Sequence, residues 1–269
     1  MNYSEFLRSQ IRTRAQSWAT SNYLPHYVSL GNSQTVVFEE DINTHLHGNF
    51  HPASWSSINS NPLWQKRLGK VHPKKDALPQ AKRANAKELD SSNSSDALLM
   101  NIFCFPGSLT RLSEIMGCAN PTVVPEFGFK ATINLASGSS DSTEIDMKWD
   151  GVLVESKLTE KDFTQKQKAT VFAYQALASV FDVDLLPSNM AEFFGYQLLR
   201  NVLAASQHNC SLIVLIDQRR PDLLKEWWDV HAAIKSPRLR QKCSYRLWQQ
   251  LAMECAPMLR NFLEQKYGL

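Results

Sequence analysis

The stretch EIDMKWDGVLVESK, residues 144–157, constrains the fold of this chain more than any other part of it. Asp150-Gly151 sits between two runs of alternating residues. That pattern calls for a two-residue β-hairpin turn, whose central positions both take positive φ, a conformation the pair Asp-Gly tolerates. With Asp150 and Gly151 in the turn, Trp149 falls opposite Val152, Asp146 opposite Glu155 and Glu144 opposite Lys157. Side chains alternate across a strand, so Glu144, Asp146, Glu155 and Lys157 are expected on one face. Ile145, Met147, Val152, Val154 and Ser156 are expected on the other, apolar one. Carboxylates directly opposite each other repel. Asp146 and Glu155 therefore call for a cation between them, and both Lys157 and a divalent metal are candidates. The plain alternative is a solvated polar face, the ordinary condition of an antiparallel hairpin.

At 269 residues, 43% hydrophobic and 20% charged, the chain can bury a full core in one domain or two. Its five cysteines are scattered and form no C-x-x-C, so reduced thiols and no zinc cluster are expected. The beginning, MNYSEFLRSQIRTRAQ, has no apolar signal core, and the longest clean apolar run is residues 212–216. Both features predict a cytoplasmic protein with no membrane association. The net charge of +3 says less than its distribution. Residues 64–87 hold eight Lys or Arg against one acid, and Lys235, Arg238, Arg240, Lys242 and Arg246 form a second cluster. Such runs suit a polyanion, and taken alone they equally describe solvated faces.

Residues 1–90 are expected to be an N-terminal extension ending in a basic linker, and residues 91–269 the main domain. Helix is predicted near 3–20 and strand over 34–38. HLHGNFH brings His45, His47 and His51 together, but its Gly and the following Pro argue for a loop. Asp96 is read as the cap of a helix over ALLMNIFCF, followed by a second helix over SLTRLSEIMG. FGFKATINLA is a predicted strand, and the hairpin strands cover 142–149 and 152–158. Residues 165–181 read as helix. So does MAEFFGYQLLRNVLAAS, with Asn189 and Glu192 spaced as a capping box and Phe194, Leu198, Val202 and Ala205 as its core stripe. CSLIVLID reads as a buried strand, and two or three helices end the chain. The order over residues 96–217 is helix, strand, strand, strand, helix, strand. This is an α/β chain of the α+β type, a mixed sheet flanked by helices. His208 and His231 sit in no nucleophile motif, and Trp227-Trp228 is expected to pack in the core.

Asp146, eight intervening residues and then Glu155-Ser156-Lys157 resemble the signature of the PD-(D/E)xK nuclease superfamily, whose core has the element order αβββαβ. The segments SSDALLMNIF, PEFGFKA, VESKLTEKDF and YQLLRNVLAA resemble a bacterial group of restriction-endonuclease-like proteins, over roughly residues 90–217. One departure is that Ile145, not Pro, precedes Asp146. The resemblance implies a metal-dependent endodeoxyribonuclease. Asp146, Glu155 and the Ser156 carbonyl would hold Mg2+, with Mn2+ a substitute. Lys157 would orient or help deprotonate the attacking water, its pKa lowered in that setting. Glu126 matches an additional acid of the group and Gln197 its polar helix residue. Arg200 lies three residues from Gln197 on one side of the helix. DNA is the implied partner, with Arg200, Lys66, Arg67, Lys70, Lys74 and Lys75 at phosphates. A homodimer is implied for cutting both strands. The alternative is a catalytically silent nuclease fold that binds DNA or serves as a structural subunit.

Overall fold

The structure is a computed structural model that describes residues 2–269. The chain divides into two compact units, residues up to Ile115 together with Trp248–Leu269, and Met116–Leu247.

The first unit opens with α1 (Tyr3–Ser21), which Asn2 caps by accepting from the Glu5 N–H at 2.8 Å. Its buried residues Leu7, Ile11, Ala15 and Ala19 recur at helical spacing. A small hairpin of β1 (His26–Val28) and β2 (Val36–Phe38) follows, then α2 (Pro52–Asn59), α3 (Pro62–Leu68), α4 (Ser95–Phe103) and α5 (Ser108–Leu112). The division expected at residue 90 is not where the chain separates. Asn101 on α4 ties the helix to the residues before that point, donating to the Asn49 carbonyl at 3.0 Å and accepting from the His51 N–H at 2.7 Å. The α4 cap is Ser94, which accepts from the Ala97 N–H at 3.1 Å. Asp96, expected to be the cap, is buried and accepts instead from Arg67 (2.8 and 2.9 Å) and Lys70 (2.7 Å).

That arrangement corrects two of the expected phosphate contacts. The Arg67 guanidinium is buried against Asp96, and the Lys70 ammonium is shared between Asp96 and Glu88. Lys66 and Lys74 are exposed and Lys75 is half-exposed. Arg67→Ala is therefore expected to act on stability. Removing it strips a buried carboxylate of its main partner and leaves only Lys70, at a cost of about 3 kcal/mol. Urea unfolding measures this, and an unchanged midpoint would contradict it.

The second unit is built on a five-stranded sheet in the order β3-β4-β5-β8-β9. β3 (Glu126–Asn134), β4 (Ser140–Trp149) and β5 (Val152–Ser156) run antiparallel. Between β5 and the next sheet strand come β6 (Gln165–Gln167), α6 (Lys168–Phe172), α7 (Leu177–Val180), β7 (Glu192–Phe194) and α8 (Tyr196–Gln207). β8 (Ser211–Ile216), α9 (Pro221–Ala232), α10 (Pro237–Lys242) and β9 (Cys243–Leu247) complete the unit. β5, β8 and β9 are parallel. The chain then returns to the first unit as α11 (Trp248–Glu254) and α12 (Pro257–Tyr267).

The turn is the one expected. Asp150 and Gly151 have φ of 43° and 77°, and Trp149 pairs with Val152. Two predicted helices are not continuous. Residues 165–181 break into β6, α6 and α7, and the segment before α8 forms β7, which pairs with β6. Asn189 accepts from the Ala191 and Glu192 N–H groups in a local turn rather than capping a helix. α8 starts only after Gly195, at φ +69°, where a Cβ would lie 2.8 Å from Val230 Cγ2 on α9. β9 was not expected as a strand. Leu198, Val202 and Ala205 of α8 pack with Leu153, Leu212, Val214 and Ile216 of the sheet, while Phe194 belongs to β7. All five cysteines are free and buried. Among the described residues, no helix is long and apolar enough to cross a membrane.

Candidate active site

The hairpin strands part company just where the charged residues begin. β4 pairs with β5 only from Met147↔Val154 to Trp149↔Val152. Beyond Val154, β5 continues beside β8, with Glu155 next to Val214 and Ser156 next to Leu215. β4 continues beside β3, which puts Glu144 opposite Lys130 and not, as expected, opposite Lys157. Asp146 sits at the fork. Its Oδ2 accepts from both the Ser156 N–H and the Ser156 hydroxyl, each at 2.8 Å. The carboxylate thus gives the Ser156 N–H an acceptor at the point where the ladder to β4 ends.

The alternative of a solvated polar face holds for Glu144, which is exposed, but not for Glu155 and Lys157. Glu155 is fully buried and Lys157 nearly so. α8 lies over them and supplies their partners. Gln197 Nε2 donates to Glu155 Oε1 at 2.6 Å, Asn201 Nδ2 donates to Glu155 Oε2 at 2.8 Å, and the Lys157 ammonium donates to Gln197 Oε1 at 2.6 Å. Lys157 Nζ is also 3.1 Å from Glu155 Oε1, so Glu155, Gln197 and Lys157 close a ring of polar contacts. Gln197 and Asn201 are four residues apart, one above the other on the same helical face. The segment linking β5 to α8 is fastened at both ends. Tyr196 and Gln197 N–H groups donate to the Thr164 and Phe163 carbonyls at 3.0 and 2.9 Å. At the other end the buried Arg220 guanidinium donates to the carbonyls of Leu158 (3.1 Å), Glu160 (2.7 Å) and Lys161 (3.1 Å).

Burial pushes the Glu155 carboxyl up, against the pull of Lys157 and Asn201. Burial alone would lower the Lys157 amine, but the charges of Glu155, Glu160 and Asp146 outweigh it and the amine is raised. The direction in the protein alone is thus opposite to the lowering implied for a site that holds metal and phosphate, and as an ammonium Lys157 donates hydrogen bonds.

Of the other expected residues, Gln197 joins the cluster. Glu126 stands outside it, exposed at the start of β3 and opposite Lys148. The register of the neighbouring pairs makes Glu126 a diagonal neighbour of Asp146, about 7–8 Å away across the strands. Arg200 does not project from the helix as an open cation. It pairs with Asp141 at 3.0 Å, donates to the Ser142 carbonyl at 2.7 Å and lies over the Tyr196 ring. The histidines of HLHGNFH are used one by one: His47 meets Asp90 at 3.2 Å and His51 accepts the Ala53 N–H. Asn201 and Arg220 were missed. A polar residue four after Gln197, on a helix otherwise rich in Leu and Val, was the available signal for Asn201; Arg220 had none.

Glu226 was also missed. It reaches from α9 to accept the Phe163 N–H at 3.2 Å. Burial pushes its carboxyl up to about 7, reinforced by Asp162 and opposed by the Phe163 and Gly195 N–H groups and Lys157. A folded value above the ordinary 4.5 means that this group's contribution to stability is complete below 4.5 and lost as pH rises through about 7. Glu226→Gln keeps an acceptor for Phe163. It is expected to exceed the wild type in stability by about 1–2 kcal/mol near pH 8, after discounting for partial exposure, and to match it near pH 4. Thermal melts at the two pH values test this, and a variant weaker than wild type near pH 8 would refute it.

The candidate donors near the fork are oxygens: the carboxylates of Asp146 and Glu155 and the backbone carbonyl of Ser156. Among the described residues no group of three or more His, Cys, Asp or Glu is placed to hold a metal ion. Two carboxylates and a carbonyl fit in kind an ion that retains waters and takes substrate oxygens, as magnesium does. They do not fit a zinc site.

A family model described as Restriction Endonuclease associating with ARP matches residues 15–268. No curated protein matches the chain. No solved structure matches it.

Proposed function

Because the chain belongs to the Restriction Endonuclease associating with ARP family, we propose that it is a metal-dependent endonuclease that hydrolyses DNA phosphodiester bonds. Its α+β fold is restriction-endonuclease-like. The observation that supports the activity is the buried Glu155 carboxylate bound to Lys157, Gln197 and Asn201, one strand from Asp146. Burying a carboxylate and an ammonium is costly, and a plain hairpin has no need of it.

In this reading Asp146, Glu155 and the Ser156 carbonyl hold Mg2+, or Mn2+ in its place. The ion would offset the charge that develops on the phosphate and on the leaving oxygen. Lys157, as an ammonium, donates to the attacking water or to a phosphate oxygen. Gln197 fixes its direction and Asn201 fixes Glu155. Glu126 supplies a further carboxylate beside Asp146. Lys66, Lys74 and Lys75 contact phosphates without reading bases, whereas Arg67, Lys70 and Arg200 act inside the protein. A second copy of the chain would supply the second cut of a duplex.

The test is conversion of supercoiled plasmid with magnesium or with chelator, by the wild type and by Asp146→Asn. Cutting that needs magnesium and is lost in the variant supports the proposal; equal cutting by both refutes the site. One observation favours the binding-only reading: both Glu155 oxygens already hold protein donors. DNA binding without cleavage, and no magnesium-dependent rise in Tm, would establish it.

A further inference from the structure

The open edge of the sheet carries a second assembly of side chains, and we propose that it binds single-stranded DNA with a base stacked on Trp228. The proposal rests on the nuclease reading and extends it to how a substrate strand is held.

β9 ends the sheet, and α9 and α10 flank it. Trp227 and Trp228, expected to pack together in the core, separate. Trp227 is 1% exposed and Trp228 is 51% exposed. Trp228 meets Tyr245 and His231 edge-on, with ring centroids 5.7 and 5.4 Å away. Together with Arg240, Gln241 and Arg246 these rings line an open groove of about 490 Å³. The groove is held in shape by His231, whose Nε2 lies 3.0 Å from the Arg240 carbonyl and 3.1 Å from that of Cys243. An N–H at that nitrogen donates to both and ties α10 and β9 to α9.

Of the basic residues in this segment, Arg240 and Arg246 line the groove itself, while Arg238 and Lys242 line a separate cavity beside Asn209 and Lys235 reaches Ala178. Lys235 donates to the Ala178 carbonyl (2.7 Å), Arg240 to the Ile234 carbonyl (3.1 Å from Nε) and Lys242 to the Asn209 amide oxygen (2.8 Å). All three acceptors are neutral, so each side chain keeps its full charge. Among the described residues no carboxylate pairs with Lys235, Arg238, Arg240 or Lys242. An exposed aromatic face among cations is the combination that holds single-stranded nucleic acid, because phosphates take the charge and a base takes the ring. A duplex hides the faces of its bases, so an unpaired strand is the better fit. A second copy of the chain fits poorly, since a twofold contact here would set this cationic rim against itself.

The sheet also places the groove within reach of the cleavage centre. Glu155 pairs with Val214, and Val214 with Tyr245; Ser156 pairs with Leu215, and Leu215 with Arg246. Two strand spacings make about 10 Å, which roughly three stacked nucleotides of one strand would span.

The experiment is a fluorescence-anisotropy titration of labelled oligo(dT) and of a duplex of equal length, in chelator. It uses the wild type, Trp228→Ala and Trp228→Phe, with Tm recorded for each. The wild type is expected to prefer the single strand. Trp228→Ala is expected to weaken that binding by roughly ten- to a hundred-fold at unchanged Tm, and Trp228→Phe to restore most of it. Equal binding by Trp228→Ala, a wild-type preference for duplex, or a dimer that Trp228→Ala dissociates would each overturn the proposal. Chelator keeps this test separate from cleavage. Single-strand binding through Trp228 in a protein that never cuts would sink the nuclease reading and leave the groove. Magnesium-dependent cutting with an indifferent Trp228→Ala would do the reverse.

Discussion

Lys157→Ala is expected to lower magnesium-dependent plasmid cleavage by about a thousand-fold, within the range lost when a group that acts on the transferred proton or on the developing charge is removed. The ammonium is nearly buried and donates to Gln197 Oε1 at 2.6 Å with Glu155 Oε1 at 3.1 Å. Its removal also takes the one cation away from a fully buried carboxylate, leaving Glu155 the two amide donors of Gln197 and Asn201. A cost of about 3 kcal/mol to the metal-free fold follows, since a buried charge without its counter-ion is strongly destabilising. In the proposed reading, magnesium held by Glu155 would replace the missing positive charge. The variant should therefore show a larger magnesium-induced rise in Tm than the wild type, although it does not cut. The two readouts separate the role at the reacting phosphate from the role in the fold. Undiminished cleavage would remove Lys157 from the mechanism, and a variant with no magnesium response would remove Glu155 from the metal site.

Arg220→Met should be the most damaging single change to the fold of the second unit, at about 3–5 kcal/mol. The guanidinium is fully buried and donates to three successive-turn carbonyls, those of Leu158, Glu160 and Lys161, while pairing with Asp222 at 2.8 Å. Methionine fills the volume of the stem but satisfies none of these acceptors and leaves Asp222 without its partner, and the Leu158 carbonyl, unpaired in the interior, alone costs about 1–3 kcal/mol. Lysine should rescue little, because its single nitrogen does not reproduce the planar fork. The carbonyls belong to the residues directly after Lys157, so cleavage should fall along with stability. Urea denaturation checks the first effect and plasmid cleavage at a temperature well below the variant's Tm the second. A loss below about 1 kcal/mol would mean that the Leu158–Glu160 turn and the α8 contacts hold this segment without Arg220.

Local chemistry and short-period patterning decided a large part of this molecule. Asp150-Gly151 can only turn the chain tightly, so the hairpin and the pairing of Trp149 with Val152 were legible, as were the β8 run and the buried stripe of α8. The candidate residues Asp146, Glu155, Lys157 and Gln197 were legible too, the first three by their spacing around that turn and Gln197 by resemblance.

Tertiary structure decided what surrounds them. A period of two places Glu155 and Lys157 on a common face but says nothing of a helix laid over it, so the burial that raises Glu155, the carboxylates that raise Lys157 against its own burial, and Asn201 with them came only from packing. The hairpin ladder ends short of Asp146, and Glu155 and Ser156 keep a ladder partner only in β8, a strand more than 50 residues further on. Gly195, in the left-handed region at φ +69°, stands outside the helix that periodicity extends back to residue 190, and a Cβ there would lie 2.8 Å from Val230 of α9. Arg67, Lys70 and Arg200 read as open cations until their distant partners Asp96, Glu88 and Asp141 fold against them. Turn chemistry and alternation act between near neighbours and are written along the chain. Burial and charge pairing depend on residues far apart in sequence, and only the assembled fold brings those together.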